Sequence, residues 1–332
     1  MTIIYAVIIF LLLVFIHEFG HFIMAKACNV KVNEFSLGMG PAIWKHQGKE
    51  TLYSLRCIPL GGYCAMEGEE EDSDDERALN KKNGWQKFII FVAGALMNAL
   101  MALLIMILIA LFSGMPSTTI GTLEEGMPAA SAGIQTGDVI LAIDDTEITE
   151  WNQVSQCMAD AGKEVVVTVD RNGEKLEITV PVMYNKEEQR NMIGITCKVV
   201  HNPAKAVSAG AAGTVQMTKD MYRILGQLVT GKVSTSELSG PVGIVTIVGQ
   251  SSKMGFMYVA YLTALISLNL AVMNLLPFPA LDGGRILFLI IRKVTGKRVT
   301  DEMENRFHFA GMMLLLALMV YVTFNDIGRL LG

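Results

Sequence analysis

The sequence predicts a multi-pass α-helical membrane protein. It has four transmembrane helices, a membrane-associated β-hairpin element after the first helix, and an extracytoplasmic β-rich domain inserted between the second and third. Three observations predict it. Of 332 residues, 52% are apolar and 18% charged, with a mean hydropathy of +0.42; soluble domains carry about 45–50% apolar and about 25% charged residues. Four apolar runs, Ile3–Ala25, Phe88–Phe112, Phe256–Leu276 and Phe307–Phe324, approach the roughly 20 residues that cross a bilayer core. Between the second and third runs the patterning changes to short alternating stretches with turn signals.

Composition also excludes functions. The formal net charge of −5 leaves no basic excess for nucleic acid. Cys28, Cys57, Cys64, Cys157 and Cys197 form no C-x-x-C pair, so neither a zinc ribbon nor a disulfide framework is indicated. Ala25-Lys26-Ala27 imitates a signal-peptide cleavage site. However, no basic segment precedes the first run, and the run itself holds His17, Glu18 and His21, so it reads as a retained span.

Charge sets the orientation. Lys26, Lys31, Lys45, Lys49, Arg56, Arg77, Lys81, Lys82 and Lys87 lie between spans one and two. Arg285, Arg292, Lys293, Lys297, Arg298 and Arg306 lie between spans three and four. Basic loops stay in the cytosol, so both termini and the long segment between spans two and three are expected outside. The organisation is residues 1–112 with spans one and two, 113–200 as the outer domain, 201–255 as an amphipathic membrane-surface linker, and 256–332 with spans three and four. In the linker, Ala204–Thr230 has helical spacing, and Ser239–Gly249 is too short to span and suits a surface-lying or re-entrant piece. The acidic run Glu67–Glu76 reads as a solvated loop, with contact to a regulator as the alternative.

In the outer domain, Val139–Ile143, Glu164–Asp170 and Leu176–Val182 read as strands and Trp151–Ala161 as a helix. The stretch from Gly126 through Pro128, Ala132-Gly133-Ile134 and Gly137-Asp138-Val139-Ile140 resembles the core signature of PDZ domains. That resemblance implies a groove that holds an extended peptide by strand addition; a steric plug over the membrane site is the equal alternative. Cys157 and Cys197 are expected to be unpaired.

Span one contains His17-Glu18-Phe19-Gly20-His21. Histidines four apart share a helix face and can ligate one zinc ion, with the intervening Glu placed as a base. Ionisable groups in an apolar helix are costly and mark function. A catalytic zinc takes a third protein ligand. Span three ends in Asn274-Leu-Leu-Pro277-Phe-Pro279-Ala-Leu-Asp282-Gly283-Gly284, and the topology brings Asp282 to the same membrane depth as the His pair. His46, His201 and His308 read as incidental.

H-E-x-x-H in the first span, N-x-x-P-x-P-x-x-D-G in the third and a PDZ-like domain between them resemble the site-2 protease family (M50), along nearly the whole chain. The resemblance implies a bacterial inner-membrane zinc endopeptidase that cleaves transmembrane segments. Its expected substrates are single-span membrane proteins of the anti-sigma-factor type or signal-peptide remnants. It assigns His17, His21 and Asp282 as Zn²⁺ ligands and Glu18 as general base. Asn274 is assigned to the substrate backbone or the developing oxyanion, with capping of the broken helix as the alternative. Lys31–Ser36, Ala42–His46 and Thr51–Ile58 read as strands, bracketed by Gly38-Met-Gly40-Pro41 and Pro59-Leu-Gly61-Gly62. They resemble the family's membrane-dipping β element, in which an edge strand receives the unwound substrate; Gly38, Gly40, Gly61 and Gly62 are thereby expected at the substrate. Two features depart from the family: the PDZ-like domain is single, and Ala93-Gly94-Ala95-Leu96-Met97-Asn98 lacks the proline of the family's A-G-P-x-x-N. Two competing classes are a non-catalytic membrane adaptor using the PDZ domain, and a zinc carrier, which would need more His or Asp across several spans.

Overall fold

The computed structural model describes residues 2–69, 71–185, 189–232, 240–296 and 301–331. Glu70 of the acidic run, Ser239, Lys297 and Arg298 lie outside the described residues. In order, the elements are α1 (Thr2–Ala27), β1 (Val32–Gln47), β2 (Leu52–Met66), α2 (Gly84–Ser113), β3 (Met115–Leu123), α3 (Pro128–Ser131), β4 (Val139–Ile143), β5 (Thr146–Glu147) and α4 (Trp151–Ala159). There follow β6 (Glu164–Arg171), β7 (Glu174–Pro181), β8 (Met183–Asn185), β9 (Arg190–Met192), β10 (Ile195–Val200), α5 (Pro203–Val229), α6 (Pro241–Met254), α7 (Phe256–Asn274), α8 (Asp282–Thr295) and α9 (Asp301–Leu331). The chain forms two compact units, residues 1–107 with 210–332, and residues 108–209.

In the first unit α1, α2, α7 and α9 are long and apolar enough to cross a membrane. In lipid a helix satisfies its backbone internally, which favours this form for each run. Small residues let the backbones approach. A Cβ on Gly20 of α1 would meet the backbone of Ala93 in α2. Ser267 of α7 is fully buried and donates to the Asn98 carbonyl of α2 at 2.8 Å. Helix α5 packs Met217 with Ala102, Ala264 and Leu268. Helix α6 has 14 residues, about 21 Å at 1.5 Å per residue, and cannot span. Its Val248 packs with Ile9 and Leu13 of α1 and Leu262 of α7. At its start, Asp326 of α9 accepts the Gly243 N–H at 2.8 Å, a buried carboxylate capping a helix.

Strands β1 and β2 are longer than the segments expected from sequence. Glycines at positive φ, Gly38 (83°), Gly40 (80°) and Gly61 (77°), bend the strands and keep them running where a turn would otherwise end them. Antiparallel rungs run from Glu34–Ala65 to Leu37–Gly62 and from Trp44–Leu55 to Gln47–Leu52. Glu34, Phe35, Ser36 and Leu37 also pair, in ascending order, with Leu52, Tyr53, Ser54 and Leu55. Residues 34–37 therefore have a neighbour on each side, and residues 62–66 form an outer edge.

The acidic run is solvated in part, with Glu71, Asp72, Asp74 and Glu76 exposed, while Glu67 and Glu69 are engaged. Glu67 accepts Ser73 Oγ at 2.6 Å and Asn33 Nδ2 at 2.9 Å and faces Lys31 Nζ at 3.3 Å; these hydrogen bonds, that of Ser73 first, hold its carboxyl down to about 2. Glu69 pairs with Arg285 of α8. These partners come from distant sequence positions, which a reading of the run alone does not reveal.

The second unit is a sheet in the order β10-β3-β4-β6-β7, with β5 on β4. Ile120, Ile140, Ile143, Val165, Val167 and Val169 fill its core. The inward residues alternate along β6, as half-buried strands require. Helix α4 begins at a capping box of Glu150 and Gln153 and buries Val154 and Met158. Arg171 grips buried Asp138 with two bonds of 2.8 and 2.7 Å, and this guanidinium holds the carboxyl below its ordinary range. Cys157 and Cys197 are free thiols.

Candidate metal centre

Four residues along α1 advance about 400°, so His17 and His21 project from one face. Their Nε2 atoms lie 3.2 Å apart. Asp282, in the first turn of α8, places Oδ2 3.2 Å from His17 Nε2 and 3.4 Å from His21 Nε2. Two breaks bring it there. Helix α7 stops at Asn274, before Pro277 and Pro279, which cannot continue it. Ala280 then takes a φ of +77°, a conformation non-glycine residues rarely adopt.

The donor set fits one small cation. His21 Nδ1 donates to the Ile90 carbonyl at 2.8 Å, so the neutral ring offers its Nε2 lone pair on the side of His17 and Asp282. Asp282 Oδ2 is buried and has no hydrogen-bond partner among the described residues. Such an orphan needs an explanation, and an ion supplies one. Tetrahedral zinc with bonds of about 2.0–2.1 Å has ligand–ligand edges of about 3.3 Å, close to the three separations observed. Gly94 of α2 clears the space: a Cβ there would meet His21 Nε2, and would lie 2.7 Å from His17 Cε1.

A polar cavity of about 1080 Å³ opens beside this cluster, lined among others by Glu18, Gly62, Cys64, Asn274 and Arg285. Gly62 sits close to the base candidate; a Cβ there would lie 3.3 Å from Glu18 Cγ.

The sequence profile of Peptidase family M50 matches residues 5–318. The chain belongs to peptidase family M50. A Clostridium acetobutylicum protein provisionally named a zinc metalloprotease is 38% identical over 329 residues, 98% of this chain and 97% of its own length. The Bacillus subtilis regulator of sigma-W protease RasP is 31% identical across 99% of both chains, and the zinc metalloprotease RasP of Oceanobacillus iheyensis is likewise 31% identical across 99% of both. The protein is thus a zinc metalloprotease of the site-2 type. Among solved structures, the PDZ domain of the SdrC-like protein from Listeria innocua resembles part of the chain, at 20% identity and a TM-score of 0.23, covering 26% of this chain and 99% of that one.

Within this M50 chain the expected residues divide into two groups. His17, Glu18, His21, Asp282, Asn274 and Gly62 all border the cavity. Gly38, Gly40 and Gly61 do not. They sit at positive φ within the strands, where they shape the sheet, and a Cβ on Gly38 would lie 2.6 Å from the Ile58 carbonyl oxygen. Sequence reasoning gave His308 and Arg285 no role at the M50 site, and read Asn98 as a residue that could pack or bond against a neighbouring helix. His308 of α9, read as incidental, accepts the Ala280 N–H at 3.0 Å and so secures the unusual turn that leads to Asp282. Arg285 ties α8 to Glu69 and lies over the Phe91 ring, 5.6 Å from its centroid. Asn98, fully buried, faces His17. The cost of polar groups in an apolar helix, applied to α1, would have flagged His308 as well.

Proposed function

We propose that this M50 protease hydrolyses peptide bonds inside transmembrane segments of single-span membrane proteins, of the anti-sigma-factor or remnant-signal-peptide kind. Its cutting site lies near the cytoplasmic face of a bacterial inner membrane, and its PDZ-like domain lies outside. One observation carries the reading: His17, Glu18 and His21 lie within a helix whose 25-residue apolar span is long enough to cross a bilayer. The basic residues around spans one to two and three to four support the orientation. The name of the Bacillus subtilis relative, regulator of sigma-W protease, supports a regulatory substrate.

His17, His21 and Asp282 would hold the zinc, which when bound polarises a scissile carbonyl and acidifies water. Glu18 takes a proton from the attacking water and delivers it to the leaving amine. The Asn274 amide, lining the same cavity, donates to the carbonyl oxygen as negative charge develops there.

The substrate helix must first unwind, and in lipid its freed backbone groups need partners. The outer edge of β2 supplies them. Glu67 N–H points to Lys31 O, while Met66 N–H points the other way, to Glu69 Oε2. Strand alternation then turns the N–H and C=O groups of Gly62 and Cys64 away from β1, beside the cavity. Exposed Met39, Ile43 and Trp44 give the sheet an apolar surface suited to lipid.

The test is cleavage of a model transmembrane peptide in liposomes, with products sequenced. Cuts inside the apolar segment, abolished by a chelator and restored by zinc, support the reading; cuts confined to the flanks overturn it. Cys64→Pro removes an outward N–H while Cys64, opposite Phe35, gives up no N–H directed at β1. It is expected to lower cleavage at least tenfold at native zinc content, while Cys64→Ala stays near native. Equal cleavage by the proline variant would remove the strand-addition step.

A further inference from the structure

Asn98 belongs to α2, four residues beyond Gly94, and is fully buried. Its amide Nδ2 lies 3.5 Å from His17 Nδ1. Its Oδ1 is buried with no hydrogen-bond partner among the described residues. The unsatisfied atom and the imidazole nitrogen explain one another. A ring that offers its Nε2 lone pair to a cation carries its proton on Nδ1. His17 Nδ1 is then a donor and needs an acceptor, while the Asn98 acceptor needs a donor. A half-turn of the Asn98 amide, whose two ends are nearly the same size, satisfies both.

We propose that Asn98 Oδ1 accepts the Nδ1–H of His17 and thereby fixes that ring with Nε2 toward Asp282 and His21. Asn98 is a positioning residue, the counterpart for His17 of the Ile90 carbonyl that orients His21. The two ligands are therefore oriented by the same helix: one by a backbone carbonyl, which any sequence supplies, and one by a side chain, which only certain residues can replace. Asn98 is itself held in place, since Ser267 donates to its backbone carbonyl at 2.8 Å. An acceptor behind a metal-bound imidazole fixes its tautomer and strengthens it as a ligand, and removing such a partner typically costs about 10–100-fold in metal affinity.

The inference rests on the zinc-ligand reading of His17, and the experiment separates the two. Zinc affinity is measured on the full-length chain in detergent by competition with a chromogenic chelator, and helix content and melting of the metal-free protein are recorded in parallel. If the native chain binds no stoichiometric zinc, the ligand reading itself falls. If it does bind, Asn98→Leu, similar in size and lacking any acceptor, should bind zinc about 10–100-fold more weakly with native-like helix content. Asn98→Asp, which keeps an acceptor, should bind as tightly as native or tighter. Native-like affinity in the Leu variant, or equal losses in the Leu and Asp variants, would overturn the proposal. Should the Leu variant fail to assemble, the Asp variant alone decides, and a loss of tenfold or more in it counts against the proposal.

Discussion

Glu18→Gln is expected to lower cleavage of a transmembrane substrate by about 10²–10⁴-fold, the usual contribution of a positioned general base, or roughly 3–5 kcal/mol of barrier at 1.36 kcal/mol per tenfold. Zinc content should remain native. The geometry separates the two effects. The converging ligand atoms belong to His17, His21 and Asp282, while Glu18 faces the cavity beside Gly62. Gln keeps the volume of Glu, so the approach of Gly62 is undisturbed, but at neutral pH it cannot take up a proton. The measurement pairs zinc stoichiometry with initial rates on the same purified sample. A Glu18→Gln protein that turns over at the native rate would require another base. One that loses its zinc would place Glu18 among the ligands and contradict the cavity geometry.

The parts of this site legible in the sequence are those encoded locally. The i, i+4 spacing of His17 and His21 follows from helix geometry alone, and chain topology together with the need for a third ligand places Asp282. Strands β4, β6 and β7 show through alternation and turns. β3 and β10 do not, because they are defined by each other: Ile195 pairs with Leu123 and Val200 with Met115, across more than seventy residues, and Met115–Leu123 does not alternate. The ascending pairing of residues 34–37 with 52–55 is hidden for a related reason, since positive-φ glycines inside a strand look like turns. The partners of Asn98, His308 and Asp326 escape a sequence reading differently. Asn98 is a lone polar residue in an apolar run, His308 opens the fourth run and Asp326 lies just past its end; the partner of each (the His17 ring, the Ala280 N–H and the Gly243 N–H respectively) emerges only once helices distant in sequence are packed together.

Gly94→Ala should remove zinc binding while leaving the metal-free chain folded with native-like helix content. A methyl at this position would meet His21 Nε2 and lie 2.7 Å from His17 Cε1, well inside van der Waals contact. Neither ring can simply withdraw: His21 is anchored to Ile90 by its Nδ1, and α1 is held close to α2 at Gly20 against Ala93. The rings must rotate or the helices must part, and either change spoils edges that need to stay near about 3.3 Å for a tetrahedral ion. Local propensity pushes the other way, because Ala in a helix interior is favoured over Gly by roughly 0.5–1 kcal/mol. The displaced imidazoles offset that gain, since overpacking a close contact costs typically about 1–3 kcal/mol. The metal-free Gly94→Ala chain should therefore keep native-like helix content and melt close to or somewhat below the metal-free native chain. Adding zinc should raise the native melting temperature, as a ligand that binds only the folded state must, and leave that of the variant unmoved, with zinc affinity down by at least a hundredfold. A variant that melts early yet still takes up zinc with native affinity would show that Gly94 serves helix packing alone, and that the space beside the imidazoles has no role in holding the ion.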